Sequence, residues 1–144
     1  MAIVNAMANT FKKELLQALH NFTLSTGDAF KIALYLTSAT LGAGDTVYKT
    51  AGEVAAGGGY TTGGNTLVNV TPTLDTTTGI CSFGNSTWSS SSITAGGAMI
   101  YNTRGGNNLC VVTLTFGGDK TSSAGDFVVQ FPAVTAAAAI IRIA

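Results

Sequence analysis

Leu109 to Phe116 reads LCVVTLTF, and a few residues upstream Ala98 to Asn102 reads AMIYN, with Arg104-Gly105-Gly106-Asn107-Asn108 between them. Both runs are rich in residues that suit a pleated, half-buried surface, and the intervening segment is built of turn formers. Together they predict a β-hairpin with a longer loop. Further downstream, Gly117 to Gly125 reads as a polar turn, and Phe127 to Phe131 (FVVQF) and Ala139 to Ile143 (AIIRI) as strands. Upstream, Phe30 to Thr37 (FKIALYLT) is apolar almost throughout, as a strand covered on both faces would be. Thr46 to Thr50 (TVYKT) alternates, Leu67 to Val70 alternates with Asn69 outward, and Ile80 to Phe83 continues the pattern. Trp88 opens a serine-rich stretch.

The remaining regular element is a helix. Asn9 or Thr10 is placed to cap it, and Phe11, Leu15, Leu16 and Leu19 recur at helical spacing. Lys12, Lys13, Glu14 and Gln17 fall on the other side, so residues 11–20 read as an amphipathic helix that packs on its own sheet, with docking on a neighbouring subunit as the alternative. The expected architecture is mainly β: an antiparallel β-sandwich or jelly-roll-like single domain of about eight short strands with one short N-terminal α-helix. Residues 1–10 form an N-terminal arm, 11–20 the helix and 30–144 the β-sandwich, one domain spanning 1–144. No repeat of fixed period is present.

Composition narrows the function. Only 10% of the 144 residues are charged, against about 25% in an average soluble domain. Thr, Ser, Asn, Gly and Ala take their place. Such a surface costs little to cover, because Thr and Ser lose less hydration and rotamer freedom on burial than Lys or Glu. Seven basic and seven acidic residues cancel and are scattered. A nucleic-acid binder needs a cationic stripe that displaces counterions from phosphates, and an anionic membrane surface asks for a similar cluster; the expectation is therefore neither nucleic acid nor membrane as a partner. Ala133 to Ile141 is too short to span a bilayer, and MAIVNAMANT lacks the basic start and long apolar run of a secretory signal. Folding in a cytoplasm is expected.

Few residues invite chemistry. His20, the single histidine, is expected at the end of the helix, where a cation favours the helix dipole. The acids show neither calcium-loop spacing nor a paired general acid and base. Gly57 to Gly64 (GGGYTTGG) lacks the following Lys-Ser/Thr of a phosphate cradle, and Asp119-Lys120 reads as part of a turn. Cys81 and Cys110 lie in strand-like surroundings and are expected as buried free thiols. The sequons at Asn21, Asn69 and Asn85 are taken as chance matches. Trp88, Tyr60 and Tyr101 are isolated aromatics of the kind that fill cores or oligomer contacts, with stacking on a sugar as the alternative. No catalytic residue, cofactor or metal site is expected, and the chain is not expected to be an enzyme.

Five segments carry a resemblance: FKIALYLTSATL (Phe30 to Leu41), GYTTGGNTL (Gly59 to Leu67), TWSSSSITAGGAMIYNT (Thr87 to Thr103), FGGDKTSSAGDFVVQFP (Phe116 to Pro132) and AIIRIA (Ala139 to Ala144). In order along the chain, they resemble a small structural-protein family of tailed bacteriophages, including cyanophages, which is similar to capsid cement or decoration proteins. The resemblance implies a virion protein on the capsid surface, assembled in the host cytoplasm. It implies a homotrimer of about 44 kDa, three times 14.6, that binds the major capsid protein and stabilises its lattice. Several weak contacts made at once would multiply affinity, and binding only the mature lattice would stabilise that lattice. The rival readings are a tail, baseplate or fibre component, and a carbohydrate-binding module for host attachment. The resemblance supplies no binding residues.

Overall fold

The computed structural model describes residues 2–144. Its elements, in chain order, are β1 (Ala6–Met7), α1 (Asn9–Leu16), β2 (Phe30–Tyr35), β3 (Asn65–Thr66), β4 (Asn69–Asp75), β5 (Thr78–Phe83), β6 (Ser86–Ser91), β7 (Thr94–Asn102), β8 (Leu109–Thr121), β9 (Gly125–Val129) and β10 (Ile141–Ile143). A 3-10 turn, Arg104–Gly106, closes the expected β7–β8 hairpin. Strand order is β1-β8-β7-β2-β3 in one sheet, β10-β5-β4 in a second and β6-β9 in a third, and the strand pairs run antiparallel. The mainly β, sandwich-like single domain with one helix is thus observed.

The frame is a single long ribbon. β6 and β7 are separated only by Ser92 and Ile93, and β8 and β9 only by Ser122 to Ala124. Register runs through both pairs, from Ser86 opposite Val129 to Asn102 opposite Leu109. The two-stranded sheet is therefore the bent-over arm of the β7–β8 hairpin. Serines make the elbow. Ser91 Oγ lies 2.8 Å from Ser122 Oγ and donates to the Gly125 carbonyl, and Ser122 Oγ accepts the Ile93 N–H at 3.1 Å. Their hydroxyls satisfy backbone groups that the bend takes out of the ladder.

β2 lies between β7 and β3, and Phe30, Ile32, Ala33, Leu34 and Tyr35 are fully buried, as its unbroken apolar run predicts. Phe11, Phe22, Phe30 and Phe83 form an aromatic cluster, with Phe22 and Phe30 stacked at 4.4 Å. Tyr60, Trp88, Phe116 and Phe127 form another at the base of the bent arm.

Several expectations need correction. The helix ends at Leu16, not residue 20, and Ala8, without a side-chain cap, precedes it in place of Asn9 or Thr10. Its end is a Schellman turn: Leu19 N–H donates to the Glu14 carbonyl and Ala18 N–H to that of Leu15, with Ala18 left-handed at φ 57°. Phe11 and Glu14 form the buried face, whereas Leu16 and Leu19 are exposed. The helix packs on its own body, as expected, through Phe11. Thr46 to Thr50 is no regular strand; it crosses the hairpin end as a strap, donating Tyr48 N–H to Asn108 and accepting Cys110 N–H at Thr46. Asn69 points inward, where its Nδ2 donates to the Thr23 and Asp28 carbonyls and ties the 21–28 loop to β4. The supposed turn at Gly117 to Gly125 is mostly strand. β8 bulges between Thr115 and Lys120, where Gly117 and Gly118 take φ of 75° and 132°, and the turn itself is only 122–124. β1 and the arm also join the main sheet, pairing Ala6 with Thr113.

Candidate functional site

His20 lies beyond the helix, buried among Phe11, Phe22 and Phe30, so the helix-dipole role gives way to a hydrogen-bonded one. Asn102 fixes its tautomer. Asn102 Oδ1 accepts the Arg104 N–H at 2.9 Å, which directs its amide nitrogen to His20 Nδ1 at 3.0 Å and Asp28 Oδ2 at 2.8 Å. Nδ1 is then the acceptor, and Nε2–H donates to Glu14 Oε2 at 2.8 Å. Arg104 Nη1 closes the helix end by donating to the Ala18 carbonyl. The group joins α1, the following loop and the end of β7. It contains no hydroxyl or thiol nucleophile.

The second polar cluster is centred on Glu53. Its carboxylate accepts Tyr48 OH at 2.6 Å, Tyr60 OH at 2.6 Å and the Gly63 N–H at 2.7 Å. Tyr60 OH accepts the Leu34 N–H, Tyr101 OH donates to the Gly63 carbonyl, and Tyr35 OH donates to that of Lys49. All four tyrosines of the chain therefore surround one carboxylate. Burial is the main cause that raises each phenol, and the Glu53 charge adds to it; Tyr101 is pushed up to about 12. These bonds hold the irregular 46–64 segment, with its glycines, against β2 and β7. Gly64 permits the contact: at φ 75°, a Cβ there would lie 1.8 Å from the Ile32 carbonyl oxygen.

The other acids follow the same habit. Asp45 accepts the Gly42 N–H and Lys49 Nζ, Asp75 the Ala136 N–H, Asp126 the Ser90 N–H, and Asp119 the Thr37 hydroxyl. With Glu14, Glu53 and Asp28, every one of the seven acids accepts a hydrogen bond from its own chain. Arg142 donates to the Ala136 and Ala137 carbonyls and so fixes the 132–140 segment. Among the described residues, no group of three or more His, Cys, Asp or Glu is placed to hold a metal ion.

Trp88, Tyr60 and Tyr101 are buried and fill the core. Cys81 and Cys110 are buried free thiols, each pushed up to about 12 by burial. Apolar grooves remain open on the surface. One, of about 440 Å³, lies between β8 and the Val129–Pro132 segment; a smaller one, of about 220 Å³, lies between α1 and the β10-β5-β4 sheet. Compared with protein-family models, with curated proteins and with solved structures, the chain matches none of them.

The sequence reading missed the roles of Glu53, Glu14 and Asn102. A buried acid needs donors, and Tyr48 and Tyr60 stand five and seven residues from Glu53, but no helical or strand period links them.

Proposed function

We propose that the chain is a virion structural protein of a tailed phage, a capsid cement or decoration protein that binds and stabilises the major capsid protein lattice as a homotrimer. It acts through protein–protein contacts alone, with no cofactor. The observation that carries the reading is the disposition of charge. All seven acids serve as internal acceptors. Charge on the outer surface is sparse: Lys12, Lys13, Arg104, Asp119, Lys120, Asp126 and Arg142 are exposed, set among Thr, Ser and small residues and eleven exposed large apolar side chains among the described residues. A surface with so few hydrated charges is cheap to cover by neighbours. The resemblance to phage cement proteins supplies the kind of neighbour. Burial of Trp88, Tyr60 and Tyr101 removes them as sugar platforms and disfavours the carbohydrate-binding alternative.

The test is cosedimentation of the purified protein with expanded shells of the major capsid protein, together with labelling of the protein in intact virions. Saturable pelleting and label spread over the shell are expected. Label confined to the tail would move the protein to the tail or baseplate, and absence from purified particles would end the virion reading.

A further inference from the structure

Three phenylalanine rings hold the His20 imidazole in place. Its side chain is fully buried, with Phe11 edge-on at 4.7 Å and Phe22 and Phe30 stacked at 6.2 and 6.3 Å. Nε2 carries the ring proton and donates it to Glu14 Oε2. Nδ1 is bare, and the partner it meets is a donor, the Asn102 amide nitrogen at 3.0 Å. That nitrogen also donates to Asp28 Oδ2 and to the Leu19 carbonyl, while Asn102 Oδ1 accepts the Arg104 N–H. Asn102 is fully buried, so water does not stand in for any of these partners. Charged and titratable groups face the pair from each neighbouring element: Glu14 from α1, Asp28 from the 17–29 loop and Arg104 from the turn after β7. The Cys110 thiol of β8 lies close enough to feel the Glu14 charge, and burial above all pushes it up to about 12, which keeps it neutral.

We infer that this cluster is an acid-operated latch: a second proton on His20 turns the Asn102 amide over and frees the Asp28 carboxylate from the end of β7. Histidine is the side chain whose ordinary charge change falls in the physiological range. A proton arriving at Nδ1 points at the Asn102 N–H donors, and two donors cannot share one bond. The ring stays where it is, because the proton completes an ion pair with Glu14 and the phenylalanines leave it no room. Asn102 needs only a half turn of its amide to present Oδ1 to the new N–H. That turn reverses its other bonds. Oδ1 then faces Asp28 Oδ2 and the Leu19 carbonyl, acceptor against acceptor, and the amide nitrogen faces the Arg104 N–H, donor against donor. Asp28 has a second partner in reach, since Arg104 Nε lies 3.9 Å from its Oδ1. Its carboxylate swings to that guanidinium and leaves both Asn102 and the Asn21 N–H, which it accepts at 2.8 Å in the neutral state. The guanidinium is the group that also donates to the Ala18 carbonyl, so the loosened stretch is 18–21. Phe22, stacked on Phe30 at 4.4 Å, bounds the motion. One rotated amide thus separates two hydrogen-bonded arrangements of the same groups, as a local protonation switch requires.

The experiment is nuclear magnetic resonance on the nitrogen-labelled full chain, titrated from about pH 8 to about pH 5, the range over which histidine ordinarily changes charge. Imidazole nitrogen shifts report the His20 tautomer and its second proton, and the Asn102 side-chain amide and the backbone amides of Asn21 and Arg104 report the latch. All are expected to move with one midpoint. Hydrogen-exchange protection of the Asn21 and Arg104 amides, corrected for the intrinsic effect of pH, should fall roughly fivefold or more, the factor that a typical intramolecular hydrogen bond supplies. Leu19 and Thr103, whose N–H groups donate to the Glu14 and Ala29 carbonyls, keep theirs. His20→Gln offers a donor and an acceptor without the titration and is expected to hold the latch closed throughout. A His20 that stays neutral to the acid end, or that takes the proton while Asn102, Asn21 and Arg104 do not respond, overturns the inference. So does an equal response in the folded His20→Gln chain, which would put the switch on a carboxylate. Should that variant fail to fold, the wild-type titration decides alone.

Discussion

Alkaline pH should unfold this protein over a narrow range, and the reason lies in its buried acids. Tyr35, Tyr60 and Tyr101 are 0–3% exposed, and burial raises all three phenols, with Glu53 adding to the shift. Cys81 and Cys110 are likewise raised from 9.0 to about 12. Each group is an acid that stays protonated in the folded chain after it would have ionised in the unfolded one. Its contribution is therefore complete below the unfolded pKa and is lost as pH rises toward the folded value. With an unfolded tyrosine near pKa 10, each phenol removes about 1.4 kcal/mol by pH 11, at most about 4 kcal/mol for the three. The two thiols begin about a unit earlier and remove roughly 5 kcal/mol more by the same pH. The sum is comparable with the whole stability of an ordinary domain, about 5–15 kcal/mol. Circular dichroism and tyrosinate absorbance, followed together from pH 8 to 12, are the assay. Ionisation and loss of native signal should coincide, steeply, near pH 11. Tyrosinate absorbance rising with a midpoint near 10 while the near-ultraviolet dichroism stays native would refute the buried cluster.

Ala18→Gly should stabilise the chain by about 0.5–1 kcal/mol, since Ala18 occupies the left-handed closing position of the Schellman turn; with about 300 cal/mol/K of unfolding entropy, Tm rises by roughly 2–3 °C. Glu53→Ala strands the two tyrosine hydroxyls and the Gly63 N–H that Glu53 accepts; a loss of about 2–4 kcal/mol is expected, read as a lower urea midpoint at unchanged slope. A variant within about 0.5 kcal/mol of wild type would mean water replaces the carboxylate there. Gly64→Ala forces a methyl into the Ile32 carbonyl at a positive φ, and should cost about 3 kcal/mol or more, seen as loss of folded yield or a large drop in Tm.

The parts of this fold that a linear reading finds are those set by period. β2 and the β7–β8 hairpin are buried by their own alternation or unbroken apolar runs, and they stand where the sequence puts them. The parts it misplaces depend on partners far along the chain. Glu14 sits in a charged triplet that looks solvated, yet His20 and the ring of phenylalanines draw it inward. Ala18 carries no sign of a left-handed residue, so the helix reads four residues too long. Gly117-Gly118 looks like a turn because bulge and turn ask for the same residues. The Glu53 cluster joins residues 35, 48, 60, 63 and 101, and only the folded sheet brings them together. The exposed pair Leu74 and Ile143 is hidden for a related reason: the two flank each other only through Gly79.

These observations tie the scarcity of charge to the fold itself. Large stretches of the chain are irregular: the 17–29 loop, the 36–64 strap and the 130–140 segment together make up much of what covers the sheets. Loops of that length cannot satisfy their backbone groups by ladder bonds and need side chains to do it. Glu14 and Asp28 hold the first, Asp45 and Glu53 the second, Asp75 and Arg142 the third. Each is an acceptor or donor strong enough to fix a loop in one geometry, because an ionised partner roughly doubles the strength of a hydrogen bond. Lys12, Lys13 and Lys120 stay exposed, so the few charges of this chain divide between hydrating the outside and fixing loops, and a loop-rich β fold with only seven acids commits every one of them to a hydrogen bond within the chain.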